Sequence, residues 1–95
     1  MKDILKAMRT QKLWKFDVYK KGTSMAFWLI LESCEILIVS NKLDLDCQML
    51  TDEELADKAQ DDLLANGYKP IELNQQVINK MEKMKKQMLA KALGF

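Results

Sequence analysis

The chain has 95 residues, of which 48% are hydrophobic and 31% charged, and its net charge is +1. This mixture predicts one globular domain over residues 1–95 and excludes a disordered chain. The near-zero charge gives no general argument for a nucleic-acid or membrane partner. The absence of histidine removes the commonest general base and transition-metal ligand, and the three glycines are isolated, which excludes a glycine-rich phosphate loop. We therefore expect a protein that is not an enzyme and needs no cofactor.

The charges are segregated along the chain. Residues 1–22 carry seven basic and two acidic side chains, residues 23–66 carry two basic and ten acidic ones, and residues 67–95 carry six basic and two acidic ones. Such blocks can pair within one chain, pair between subunits, or face different partners. The sequence leaves these three arrangements open.

The first segment has the pattern of a helix. Apolar side chains at Ile4, Leu5 and Met8 recur at helical spacing within Lys2–Lys12, and basic residues lie opposite them. This predicts a short amphipathic helix with a basic outer face. A basic outer face is most often only solvated.

The next segment, Leu13–Lys20, changes to a period of two. Its apolar residues Trp14, Phe16 and Val18 alternate with polar ones, which predicts a half-buried strand with these three on its apolar side. Tyr19 then falls on the polar side of the strand. The glycine that follows predicts a hairpin turn, because glycine takes positive φ at no steric cost.

The most apolar stretch of the chain, Met25–Val39, shows no alternation. A strand covered on both faces has this pattern, and so does a buried helix. Its β-branched residues, and a glutamate that a helix would bury, favour two strands broken within Glu32–Glu35. Alternation returns in Leu43–Gln48. Sequential strands with short turns predict an antiparallel meander of three to four strands over about residues 13–48.

Two helices are predicted at about residues 52–66 and 75–93. The first matches a capping box, with Thr51 as the cap and a glutamate three residues later, and it ends at an Asn-Gly pair. Asn74 is a suitable cap for the second helix. The segment Tyr68–Leu73 between them is predicted as a linker. Together these elements predict an α+β fold with the helices packed on the sheet.

Two surfaces of these helices are candidates for partner binding. The last helix carries a row of methionines, which either packs on the sheet or forms an adaptable docking face. The preceding helix is strongly acidic. Its acidic face is either only solvated, or it binds in a partner's basic groove with carboxylates in the positions that phosphates would occupy. We therefore expect a small interaction module of the accessory, adaptor or inhibitor type. The candidate contact residues are Glu54, Asp57, Asp61, Met81, Met84, Lys85 and Met88.

The alternative is a lysine-rich nucleic-acid-binding module that uses the first helix and the first strand. Lysine outnumbers arginine, which suits loose phosphate contact, and one aromatic residue on the polar side of the strand could stack on a base. The candidate residues are Lys2, Lys6, Arg9, Lys12, Lys15 and Tyr19.

Both faces of Met25–Val39 need burial, and three helices on one face would leave the other exposed. We therefore expect a homodimer. The same stretch is too short and, with Glu32 and Glu35, too charged to span a membrane. No membrane partner is predicted.

Two further patterns concern metals and compartment. Asp44 and Asp46 share a strand face near the two glutamates, an oxygen-rich arrangement that Mg²⁺ or Ca²⁺ uses, but alternating acids on an edge strand are normally solvated, so no metal is predicted. The two cysteines, Cys34 and Cys47, lack metal-binding spacing. With no signal-peptide pattern, they predict a reducing, cytoplasmic location.

Overall fold

The computed structural model describes residues 2–41 and 44–92, and side chains within 3–41 and 44–87. Within these residues the chain forms three helices and one five-stranded antiparallel sheet, which confirms the predicted α+β class. In chain order the elements are α1 (Lys2–Thr10), β1 (Leu13–Lys21), β2 (Ser24–Leu31), β3 (Glu35–Ser40), β4 (Leu45–Leu50), α2 (Glu53–Ala65), β5 (Lys69–Ile71) and α3 (Gln75–Ala92).

The sheet has the strand order β4-β3-β2-β1-β5. Strands β1 to β4 form the predicted meander, and Met25–Val39 is two strands rather than one buried helix. Strand β5 lies in the segment predicted as a linker, and it pairs with β1 only through Val18, Tyr19 and Lys20. Three residues are too few to show a period of two. Pro70 is tolerated because an edge strand does not need every N–H in a ladder.

The two faces of the sheet are buried by different helices. Face A packs against α1 and α3, and its most buried strand residues are Val18, Phe27, Leu29, Ile36 and Ile38. Face B packs against α2, and its buried strand residues are Tyr19, Ala26, Trp28, Leu37 and Leu50. Strand β2 is therefore covered on both sides by the chain's own helices. The expectation that three helices on one face leave the other bare is wrong, although the homodimer that it suggested stays a prediction.

The crossing of α2 over face B follows from the sheet order. Strand β4 is at one edge and β5 at the other, and α2 connects them. Four strand spacings of about 4.8 Å make a width of about 19 Å, and thirteen helical residues at about 1.5 Å each span the same distance. The length of α2 thus matches the width of the sheet that it must cross.

Strand β1 departs from the predicted alternation at its start. Leu13 pairs with Leu31 and Lys15 with Ile30, so Trp14 is one extra residue in the ladder, a β-bulge. Trp14 was predicted on the apolar side but is 69% exposed, because the bulge interrupts the period of two. Tyr19 was predicted on the polar side but is only 9% exposed, because α2 covers that face as well.

Caps and turns explain where the helices begin and end. The cap of α2 is Asp52, whose side chain accepts a hydrogen bond from the Leu55 N–H at 2.9 Å, so the assignment of the cap to Thr51 is wrong by one residue. The Asn-Gly stop is confirmed, because Gly67 has φ 90° and the Tyr68 N–H donates to the Leu63 carbonyl.

The other two predicted boundaries also follow from hydrogen bonds. Asn74 caps α3 by accepting from the Val77 N–H at 3.0 Å, as predicted. The β2–β3 turn has no glycine, and it closes with a hydrogen bond from the Leu31 N–H to the Cys34 carbonyl. The Gln11 side chain accepts from the Ser33 N–H in the same turn, which ties the turn to the end of α1.

Candidate protein-interaction site

The outer side of α2 is the most acidic surface of the described chain. Ala59 and Leu63 are buried against face B four residues apart, so the opposite side of the helix faces solvent. The exposed carboxylates of this helix and its cap define the acidic surface: Asp52, Glu53, Glu54, Asp57, Asp61 and Asp62. Lys58 is the single basic residue on α2. The predicted contact residues Glu54, Asp57 and Asp61 therefore lie together on one accessible surface.

The charges of the acidic surface are not neutralised within the described part of the chain. The only ion pair found there joins Lys15 Nζ to Asp17 Oδ2, 3.8 Å apart, and neither residue belongs to α2. Basic side chains lie instead beyond face A, where α1 and α3 expose Lys6, Arg9, Lys80, Lys83 and Lys86. The sheet thus separates an acidic layer from a basic one. Among the described residues, therefore, α2 does not use the first of the three arrangements left open by the sequence, pairing of charges within one chain.

Two methionines of the α3 row are part of the core. Met81 and Met84 are each 3% exposed and pack against face A, and Lys85 is half-buried beside them. A partner could reach the two methionines only if α3 left the sheet, so the packing alternative applies to them. The side chain of Met88 lies outside the described residues.

The candidate nucleic-acid residues do not share one surface. Lys6 and Arg9 are exposed on α1 beyond face A, whereas Lys15 lies in register with Ile30 on face B. Tyr19 is buried under α2, and its hydroxyl accepts a long hydrogen bond of 3.5 Å from Gln60 Nε2, so it offers no stacking platform. Lys12 is exposed, and the side chain of Lys2 lies outside the described residues.

The carboxylates considered for a metal are also separated. Glu35 pairs with Leu50 at one end of the β3–β4 ladder, whereas Asp46 pairs with Val39 near the other end. In the part of the chain that the structure describes, no three histidine, cysteine, aspartate or glutamate residues are placed to hold an ion.

A groove on face B was not predicted from the sequence. It lies between the first turns of α2 and the β2–β3 turn, has a volume of about 600 Å³, and is lined by Ile30, Glu35, Ala56 and Asp57 among others. A neighbouring cavity of about 220 Å³ shares these four residues, so the two are continuous. The sequence shows the acidic residues of the β2–β3 turn. It does not show that α2 lies beside them, because that depends on which face of the sheet α2 covers.

No helix within 2–41 and 44–92 combines the length and apolarity needed to cross a bilayer. The chain matches no protein-family model, no curated protein and no solved structure.

Proposed function

We propose that this protein is a small, non-enzymatic interaction module that binds a positively charged surface of a partner protein through the acidic surface of α2. The observation that supports this most directly is the exposure of those carboxylates without a cationic partner among the described residues. The contact residues are Glu54, Asp57 and Asp61. The two methionines predicted as contacts, Met81 and Met84, have a packing role in this proposal.

The placement of charge along α2 supports the same proposal. Acids in the first turn of a helix are stabilised by its dipole, but Asp62 lies in the last turn, which contains no basic residue. Asp57 and Asp61 repel each other across one helical turn, at a cost of a few tenths of a kcal/mol. These placements do not favour the stability of the helix, so a role outside the folded monomer accounts for them better.

The mechanism is electrostatic docking. Carboxylates along one helix present a row of negative charge, as the phosphates of a nucleic-acid strand do, and a basic groove that receives nucleic acid would also accept this row. Such contacts accelerate association and weaken with salt. The module would act as an inhibitor or accessory factor by occupying that groove.

The proposal is tested by affinity capture from a lysate of the source organism, followed by mass spectrometry. We expect the captured protein to be released by added DNA or by raised salt, and to be lost with Asp57→Lys/Asp61→Lys. The matched control is Lys80→Glu/Lys83→Glu, which reverses two exposed charges of the other layer. Capture that survives the α2 variant, or that both variants abolish equally, would contradict a role for the acidic surface.

A second candidate function, nucleic-acid binding, is favoured by one observation. The exposed basic residues of α1 and α3 lie beyond the same face of the sheet, although β1 contributes less than the sequence predicted. The same two variants discriminate the functions. Binding of DNA or RNA that falls steeply with salt and disappears in Lys80→Glu/Lys83→Glu would support this alternative. No binding at low salt would exclude it.

A further inference from the structure

An exposed tryptophan and the groove on face B lie side by side at one corner of the molecule. Trp14 is 69% exposed and is flanked by Lys12 and Lys15, both also exposed. Lys15 pairs across the sheet with Ile30, and Ile30 pairs with Glu35. The basic segment around Trp14 and two residues that line the groove therefore lie on one row of neighbouring strands.

The groove and the segment have complementary chemistry. Ile30 and Ala56 give the groove half-buried apolar surface, and carboxylates of Glu35 and Asp57 line it. The segment around Trp14 is complementary to this groove, because it carries an apolar indole between two ammonium groups. A β-bulge directs a side chain away from the regular ladder, which accounts for the exposure of a large aromatic residue at this point.

We propose that two copies of this chain form a closed dimer in which Trp14 of each copy enters the groove of the other. A two-fold axis requires that both halves of the contact lie on the same surface patch, and here the segment and the groove are neighbours. Lys12 and Lys15 of one copy then approach Glu35 and Asp57 of the second copy. The ion pair between Lys15 and Asp17 spans 3.8 Å between exposed side chains, so Lys15 exchanges it at little cost.

The edge of the sheet leaves room for this approach. Strand β5 pairs with β1 only at Val18, Tyr19 and Lys20, so no described strand lies beside Leu13–Asp17 on that edge. Each tryptophan buries about 200 Å² when fully covered, so two insertions and their charged rims make an interface at the small end of the stable range. The dimer is therefore concentration-dependent. It goes beyond the proposed function and does not rest on it. Glu54 and Asp61 lie outside the groove, and Asp57 is the one residue common to the two contacts.

The test is sedimentation velocity of the full chain from about 1 to about 300 µM, a range in which weak dimers dissociate and form. We expect the wild type to shift from monomer to dimer, and Trp14→Ala to weaken the dimer by at least about thirtyfold, because each of the two copies loses a central aromatic residue. The matched control is Leu64→Ala, which removes another large exposed apolar residue and leaves the dimer unchanged. A wild type that stays monomeric, that forms open-ended larger species, or that dimerises as well without Trp14 overturns the proposal.

A charge exchange identifies the two surfaces. Lys15→Glu and Glu35→Lys each weaken the dimer when alone, and an equimolar mixture restores it because the new glutamate of one chain faces the new lysine of the other. Circular dichroism confirms that both variants are folded. A mixture of folded variants that associates no better than either variant alone overturns the assignment of the groove as the site of Trp14.

Discussion

Face A and face B of the sheet differ in depth of burial and in charge. Among the described side chains, the cluster on face A contains twelve buried residues from the sheet, α1 and α3, whereas the cluster on face B contains seven and depends on α2 alone. The larger cluster is therefore the main core. The helices that close it are basic on the outside, and the helix that closes the smaller cluster is acidic.

This difference shows how one helix combines two tasks. On α2, the buried positions Ala59 and Leu63 stabilise the fold, while carboxylates beyond the first turn, such as Asp57 and Asp61, face solvent and should contribute little to folding. Changes of charge on α2 should therefore leave the fold intact, and changes in the core of face A should not. Four substitutions, two of them with a control at the neighbouring residue, compare the contributions of the two faces, from the largest expected effect to the smallest.

Loss of volume in face A should have the largest effect. Phe27 is 2% exposed and lies on the central strand β2, so Phe27→Ala should lower the free energy of unfolding by about 3–5 kcal/mol. Urea unfolding followed by circular dichroism measures this. A loss below about 1 kcal/mol would contradict the assignment of face A as the main core.

Loss of volume in face B should cost less. Leu63→Ala removes one of two buried α2 side chains and should lower the free energy of unfolding by about 2–3 kcal/mol. Its neighbour Leu64 is 50% exposed, so Leu64→Ala should change the free energy of unfolding by less than about 0.5 kcal/mol. Equal effects of the two substitutions would mean that α2 does not pack on face B as described.

The cap of α2 gives a smaller and more local effect. Asp52→Ala removes the acceptor for the Leu55 N–H and should cost about 1 kcal/mol. Thr51→Ala, one residue earlier, should cost less than about 0.5 kcal/mol. If urea unfolding showed a larger loss for Thr51→Ala than for Asp52→Ala, Thr51 would be the cap, as the capping box in the sequence predicted.

The smallest effect is expected for the Tyr19 hydroxyl. Its hydrogen bond from Gln60 is 3.5 Å long, so Tyr19→Phe should change the free energy of unfolding by less than about 0.5 kcal/mol and keep the ring buried on face B. A loss above about 1 kcal/mol would mean that the hydroxyl makes a stronger contact than this long hydrogen bond.

Much of the fold was predictable because it follows from local patterns. Alternation in β1 and β4, the Asn-Gly stop of α2 and the cap at Asn74 are all properties of short segments. Three features were missed for physical reasons. Strand β5 is too short to show a period, the bulge at Trp14 breaks the period without a sequence signal, and Asp52 and Thr51 are both good caps.

The candidate site was predictable in part. Glu54, Asp57 and Asp61 were found because their charge is visible in the sequence and their exposure follows from the buried side of α2. The methionine row could not be assigned from the sequence, because an apolar stripe looks the same whether it meets a sheet or a partner. Only packing placed Met81 and Met84 in the core.

By itself, the sequence predicted the three helices, favoured two strands over a buried helix at Met25–Val39, and determined the charge of each helix, because these depend on residues close in the chain. Tertiary structure decided which helix covers which face. Strand β2 is apolar on both sides, so its side chains accept a helix on either face. The choice depends on connections, since α2 crosses from β4 to β5 over face B and α3 returns over face A. That choice separates the acidic and basic layers, and it brings the groove beside Trp14.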